Sequence, residues 1–203
     1  MSGEKKALCP KERDDEARKV WLEAALKLAA DKLVFLDETG AWLGMPRLYG
    51  RCVGGARVYD TAPKKRAGKV SLIAAITNKG MNAQACLVFE GSVDSKAFLS
   101  YIEHVLCPTL NPGQIVIMDN FTIHHNKRVK ELIEDRDCEL LYLPTYSPDF
   151  NPIEHLFAKL KAFIRKLRPD AISDLMQAFQ DAVLSVTADN ALNAFAHCGY
   201  LSQ

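Results

Sequence analysis

Apolar residues in this chain recur first at a helical period and then in short unbroken runs. Ala17, Val20, Trp21, Ala24, Ala25 and Leu28 form the stripe of an amphipathic helix that must dock on something. The period then changes. Residues 33–36 are a continuous apolar run ending in Asp37 and Glu38, too short for a helix and suited to a strand buried on both faces. Residues 39–69, with six glycines and Pro46 and Pro63, read as turns and short ribbons. Strands are predicted at 70–77 and 83–89, joined as a hairpin through Asn78, Lys79 and Gly80.

Further along, Asp94 or Ser95 can cap a helix whose face is Phe98, Leu99, Ile102, Val105 and Leu106, stopped near Pro108. Residues 115–118 form a second buried strand, which also ends in an aspartate, Asp119. Asn126 starts a helix using Val129, Leu132 and Ile133, and 140–143 is a strand closed by Pro144. Pro148 and Pro152 flank a tight loop before a long helix over 152–167. Ser173 is the expected cap of a helix through Leu175, Phe179 and Val183, and a last short helix ends near Gly199. This order describes an α/β fold, a mixed sheet with helices on both faces. One domain over 31–203 with a helical lead-in over 1–30 is the simplest division.

Composition narrows the function. With 203 residues, 48% of them hydrophobic and 25% charged, a sizeable core is available, which excludes a disordered or fibrous chain. Lys and Arg number 26 against 25 Asp and Glu, so the net charge is +1 and gives no bulk attraction for nucleic acid or acidic membrane. Such a partner must be met by a local patch. Cys9, Cys52, Cys86, Cys107, Cys138 and Cys198 contain no C-x-x-C pair, and a core this large needs no disulfide staples. Met1 is followed by Glu4, Lys5 and Lys6 without an apolar leader, and no stretch nears the ~18 apolar residues of a membrane span. The expectation is a soluble, cytoplasmic protein with no membrane partner.

The candidate chemistry lies at strand ends. Leu33, Phe35 and Asp37 share one face, as do Ile115, Ile117 and Asp119, so neighbouring strands would bring two carboxylates together. Either aspartate taken singly could equally be a turn former. Glu38 should point the other way. Glu154 supplies a third carboxylate within Tyr146-Ser-Pro-Asp-Phe-Asn-Pro-Ile-Glu154, where Asn151 at N-cap, Pro152 at N1 and Glu154 at N3 also make an ordinary capping arrangement. Lys161, Arg165 and Arg168 follow on the flank of Glu154, a row that would serve a carboxylate beside a phosphate backbone and would also serve solubility. Three carboxylates without clustered Cys or His ligands suit magnesium or manganese rather than zinc. Two such ions ~3.5–4 Å apart support in-line phosphoryl displacement, the chemistry of nucleases and polynucleotidyl transferases.

His124 and His125 follow Asp119 and could order a phosphate or a water, although histidines of the loop or behind the site, without direct catalytic duty, are the default; Asn120 and His124 are the candidates to support Asp119 from behind. Residues 39–69 hold Arg47, Arg51, Arg57, Lys64, Lys65, Arg66 and Lys69 against one acid, Asp60, interleaved with Trp42, Tyr49 and Tyr59. This is a local basic patch, readable as a DNA contact or as a solvated loop.

Asp37 in Phe35-Leu-Asp-Glu-Thr-Gly40, Asp119 in Ile115-Val-Ile-Met-Asp-Asn120, and Glu154 after its Pro-rich approach resemble the DDE catalytic domain of the mariner-type transposase superfamily, bacterial insertion-sequence branch. Thirty-four residues separate Asp119 from Glu154, the spacing that group carries, and the ending Phe195-Ala-His-Cys-Gly-Tyr200 is also similar. The resemblance implies a ribonuclease H-like fold. It implies that Asp37, Asp119 and Glu154 hold two divalent cations, magnesium or manganese. The implied reaction is strand cleavage by water followed by joining of the freed 3′-hydroxyl to target DNA.

The implied partners are element-end and target DNA and further copies of the chain, in a homodimer or larger synaptic complex that is nucleoid-associated when DNA-bound. Full-length relatives begin with helix-turn-helix modules, whereas only one obvious helix precedes Asp37 here. The expectation is therefore a chain without its own end-recognition module, completed by an upstream helix-turn-helix polypeptide, or else a noncatalytic truncated fragment that regulates a full-length transposase by multimerisation or DNA binding. A stand-alone metal nuclease of the same fold is a weaker rival.

Overall fold

The structure is a computed structural model that describes residues 13–201 apart from 26, 48, 51, 53, 55, 56, 60 and 62–66, and the backbone alone of residue 67. Its centre is β1 (Leu33–Leu43). On one side lies the antiparallel hairpin of β2 (Ala67–Thr77) and β3 (Gly80–Glu90); on the other lie the parallel strands β4 (Ile115–Met118) and β5 (Glu139–Tyr142), in the order β3-β2-β1-β4-β5.

Strand alternation sends successive side chains into two separate cores. Leu33, Phe35, Ile115 and Ile117 pack beneath α4 (Pro152–Leu167), α5 (Ile172–Leu184) and α6 (Ala188–His197). Val34, Leu36, Val116 and Met118 pack on the other face, against α2 (Ser95–Tyr101) and α3 (Lys127–Glu134). Burial on both faces is why 33–36 and 115–118 are uninterrupted apolar runs. The carboxylates of Asp94 and the amide of Asn126 cap α2 and α3 as expected, accepting from Ala97 and Arg128 backbone N–H groups.

β1 does not stop at Asp37. It runs for eleven residues, and after Asp37 its burial changes from continuous to alternating, with Thr39 and Ala41 buried between half-buried neighbours. The reason is that β4 ends at Met118, beside Leu36, so the rest of β1 keeps only β2 as a neighbour and only one covered face. The reading of 39–69 as separate turns and short ribbons therefore fails at both ends, which belong to the long strands β1 and β2, with Trp42 paired to Lys69 and Leu43 to Ala67. β3 likewise begins at Gly80 rather than 83, because Gly80, at φ 135°, closes a tight turn directly onto Thr77.

Ser173 is not the cap of α5. Ala171 holds that position without a side-chain bond, since Ile172 is needed inside the helix, where it lies directly over Gly68 of β2.

The N-terminal helix α1 (Asp15–Ala25) docks on the body, but not with the whole expected stripe. Arg18 and Ala25 are buried and Trp21 half-buried, while Val20 and Ala24 face solvent. The rotation follows from Arg18, whose guanidinium forms a bidentate pair with Asp149 and lies 4.0 Å from the centre of the Phe150 ring. No helix among the described residues is long and apolar enough to cross a membrane.

Candidate active site

The parallel pairing of β1 and β4 puts Leu36 beside Met118, so Asp37 and Asp119 are the next residues on adjacent strands. Alternation turns both toward the face shared by Phe35 and Ile117, under α4. Glu154 projects from the first turn of α4 into the same pocket, a cavity of about 310 Å³ whose lining includes Asp37, Asp119, Asn120, Tyr146, Asn151 and Glu154. Burial, and then the negative charges of Asp119, Glu154 and Glu38, push the Asp37 carboxyl well above its ordinary range, although the Glu38 backbone N–H donates to it at 2.7 Å.

Asn151 occupies the N-cap position of α4 without capping it. Its Nδ2 donates to Asp37 Oδ2 at 2.8 Å, and its Oδ1 is buried with no hydrogen-bond partner. The capping-box reading of Glu154 therefore does not hold: the helix start has no side-chain cap, and Glu154 is exposed.

His124 connects Asp119 to a carboxylate the sequence pattern had turned away. Glu38 does face the opposite side of the sheet, yet its Oε1 lies 2.9 Å from His124 Nε2, while His124 Nδ1 lies 2.7 Å from Asp119 Oδ1. Ionised carboxylates only accept, so both ring nitrogens donate. The ring is fully buried against Phe98, at 4.5 Å between centroids. Burial favours the neutral imidazole, but its two carboxylate partners outweigh that and push His124 up to about 10. For Asp119, burial opposes ionisation, and the His124 hydrogen bond and charge, the Phe121 backbone N–H and the nearby His125 together outweigh it, leaving the carboxyl below its usual range. Nothing in the spacing pairs Glu38 with His124. Asn120 lines the pocket without bonding Asp119, donating to Thr145 Oγ1 at 3.2 Å and accepting from His125.

A second cavity of about 1160 Å³ adjoins the pocket, with Glu154 on the border of both. Lys161 and Arg165 line it together with Arg47, Tyr49 and Lys166, and Arg47 is tied to the end of α4 by a 3.0 Å bond to the Lys166 carbonyl. Lys166 was not expected in this groove. Arg168 leaves the helical row: α4 ends at Leu167, and Arg168 takes left-handed backbone at φ 53°. Arg57 is exposed, outside the groove lining. Arg51, Lys64, Lys65 and Arg66, all expected to contact DNA, lie outside the described residues.

Among the described residues no three Asp, Glu, His or Cys side chains already converge tightly enough to hold a metal. The donor set nevertheless fits a hard divalent cation. It offers three carboxylates, with Asp37 raised by burial and then by the charges of the other two, and a buried amide oxygen that lacks a donor.

Residues 32–176 match the family described as DDE superfamily endonuclease. The chain belongs to that family. Within it, the chain is 28% identical over 109 residues to the transposable element Tcb2 transposase of Caenorhabditis briggsae, covering 48% of this chain and 40% of that protein. Among solved structures, the Mos1 strand transfer complex matches with a TM-score of 0.78 at 20% identity, covering 98% of this chain and 62% of the Mos1 chain. The isolated Mos1 mariner catalytic domain matches with a TM-score of 0.69 at 16% identity over 94% of this chain and 92% of that domain. This DDE endonuclease chain thus has the Mos1 catalytic-domain fold, ribonuclease H-like, and spans less than two thirds of the length of the Tcb2 transposase and of the longer Mos1 chain. Mos1 has been solved in paired-end complexes with manganese and with magnesium.

Proposed function

We propose that this chain is the catalytic domain of a DNA transposase, cutting DNA at element ends with water and joining the freed 3′-hydroxyl to target DNA. The observation that carries the reading is the convergence of Asp37, Asp119 and Glu154 on one pocket beside a basic groove. Membership of the DDE endonuclease family supports it. Asp37, Asp119 and Glu154 would hold two divalent cations, magnesium or manganese, which when bound supply the positive charge that phosphoryl displacement requires.

The chain's own residues do the rest. Asn151 fixes the Asp37 carboxylate through its amide, and His124 fixes that of Asp119. Arg47, Lys161 and Arg165 neutralise backbone phosphates and align the strand so that the scissile bond meets Glu154 at the mouth of the groove. Cleavage forms a bond from the water oxygen to phosphorus and breaks the bond to O3′, leaving a 3′-hydroxyl and a 5′-phosphate. Joining repeats the displacement with that hydroxyl as nucleophile.

The partners are element-end and target DNA, with a second copy of the chain in a synaptic dimer or larger complex, acting in the cytoplasm at the nucleoid. Placement in the bacterial insertion-sequence branch rests on the 34-residue spacing, the Pro-rich motif and the ending Phe195–Tyr200. The test is manganese- or magnesium-dependent nicking of a plasmid carrying candidate ends, followed by detection of joined product. DNA binding without cleavage under either metal would instead favour the noncatalytic regulator.

A further inference from the structure

We infer that α1 is a positioning element for the active-site loop, and that Arg18 is the residue through which it acts. The loop in question, 147–151, delivers Asn151 to Asp37 and starts the helix that bears Glu154. Its tight turn, Pro148–Phe150, is stabilised from within by two 3.0 Å backbone bonds, Phe150 N–H to the Ser147 carbonyl and Asn151 N–H to that of Pro148. Beyond its bonds to Asp37 and Thr145, contacts reach it from α1 and from Tyr200.

Two residues three apart on one face of α1 reach it. Arg18 donates to both oxygens of Asp149, at 3.0 and 2.5 Å, and its guanidinium lies over the Phe150 ring. Trp21 Nε1 donates at 3.2 Å to the Tyr200 hydroxyl, which donates at 2.7 Å to the Phe150 carbonyl. The Tyr200 ring in turn lies 4.8 Å from that of Phe35, two residues before Asp37.

This arrangement explains why an arginine is buried on a helix whose neighbouring apolar positions, Val20 and Ala24, face solvent. A guanidinium with only the exposed acids of its own helix for partners would stay in water. Arg18 instead gives up its hydration to a fork-to-fork pair with an acid 131 positions away. Such a pair fixes orientation as well as distance, which a single-point ammonium does not. The pair lies in the loop that sets the Glu154 helix relative to Asp37, so its effect is on placement of carboxylates. The partners of the Arg18 guanidinium are Asp149 and Phe150, which do not line the pocket, so Arg18 is a positioning residue and not a catalytic one.

The test compares Arg18→Met, Arg18→Lys and, as a control on exposed α1 surface, Lys19→Met. The first measurement is amide exchange in the metal-free protein. Arg18→Met should raise exchange at Phe150, Asn151 and Glu154 well above any rise in β2 and β3, and Lys19→Met should leave both unchanged. A uniform rise across loop and sheet would overturn the inference, showing that Arg18 only adds general stability.

The second measurement is manganese-dependent nicking, and its meaning depends on the proposed DNA-cleaving function. Arg18→Met should lower kcat by roughly tenfold or more while KM for DNA stays within about twofold, since misplacing reacting groups by ~1 Å can cost ~10²-fold. Arg18→Lys should recover only part of the loss. An unchanged kcat, or a loss confined to KM, would overturn the inference. Wild-type protein without nicking activity would refute the proposed function, and the exchange measurement would still decide the role of Arg18.

Discussion

The side-chain amide of Asn151 donates to Asp37 Oδ2 at 2.8 Å, tying the start of α4 to β1 across 114 positions of sequence. An asparagine at a helix N-cap ordinarily turns to its own backbone. Here it is diverted to a buried carboxyl that three other acids repel, and its Oδ1 is left buried without a donor.

Asn151→Ala removes a hydrogen bond from the buried Asp37 carboxyl, a loss of about 1–3 kcal/mol in metal-free protein, read by urea unfolding. Asn151→Asp adds a further acid, so it should destabilise the metal-free protein and then gain more Tm than wild type on addition of manganese. Equal manganese shifts in the two proteins would show that the Asn151 position does not face the cation site.

Asp119→Asn is nearly isosteric and discards one ligand charge. We expect it to keep the fold by circular dichroism and to abolish metal-dependent strand cleavage. Full cleavage at unchanged fold would take Asp119 out of the mechanism.

Lys161 and Arg165 share a groove with Arg47, with Glu154 at its edge. Replacing both with Gln should flatten the slope of log affinity against log salt by up to roughly 2, because each phosphate neutralised on duplex DNA contributes about −0.9. Sequence preference should not change, since phosphate contacts position DNA without reading bases. Arg168→Gln should alter the slope less, because Arg168 has left the helical row. An unchanged slope in the double variant would make the row a solvated face.

The buried His124 sits between Glu38 and Asp119 and is pushed up to about 10 from an ordinary 6.5. A folded-state value raised in this way contributes stability that is complete below pH ~6.5 and is lost as pH rises toward ~10. In metal-free protein the stability gap between wild type and His124→Gln should therefore narrow from pH 6 to pH 9.5 in urea titrations. A gap independent of pH would mean that the ring is not held as imidazolium.

The sequence by itself determined those features that burial imposes on each element separately. The runs at 33–36 and 115–118 are apolar throughout because helices cover both faces of those strands, and the apolar stripe that the sequence shows from Ile153 to Leu167 fixes how α4 rotates, although Leu167 at its end is exposed. Two aspartates after matching runs and a glutamate after a Pro-rich approach were legible for the same reason, as strand and helix periods assign their faces. Tertiary structure decided everything that depends on which polar group meets which. β1 continues beyond Asp37 because β2 pairs with it where β4 has ended, and pairing leaves no mark in a one-faced strand as short as 39–43. Glu38 meets His124, Asn151 meets Asp37 instead of its own helix, and Arg18 meets Asp149, over separations of 86, 114 and 131 positions. Apolar burial is non-directional and writes itself into periodicity, whereas a hydrogen bond or ion pair needs two particular groups within about 3 Å, and only the docking of whole elements brings them there.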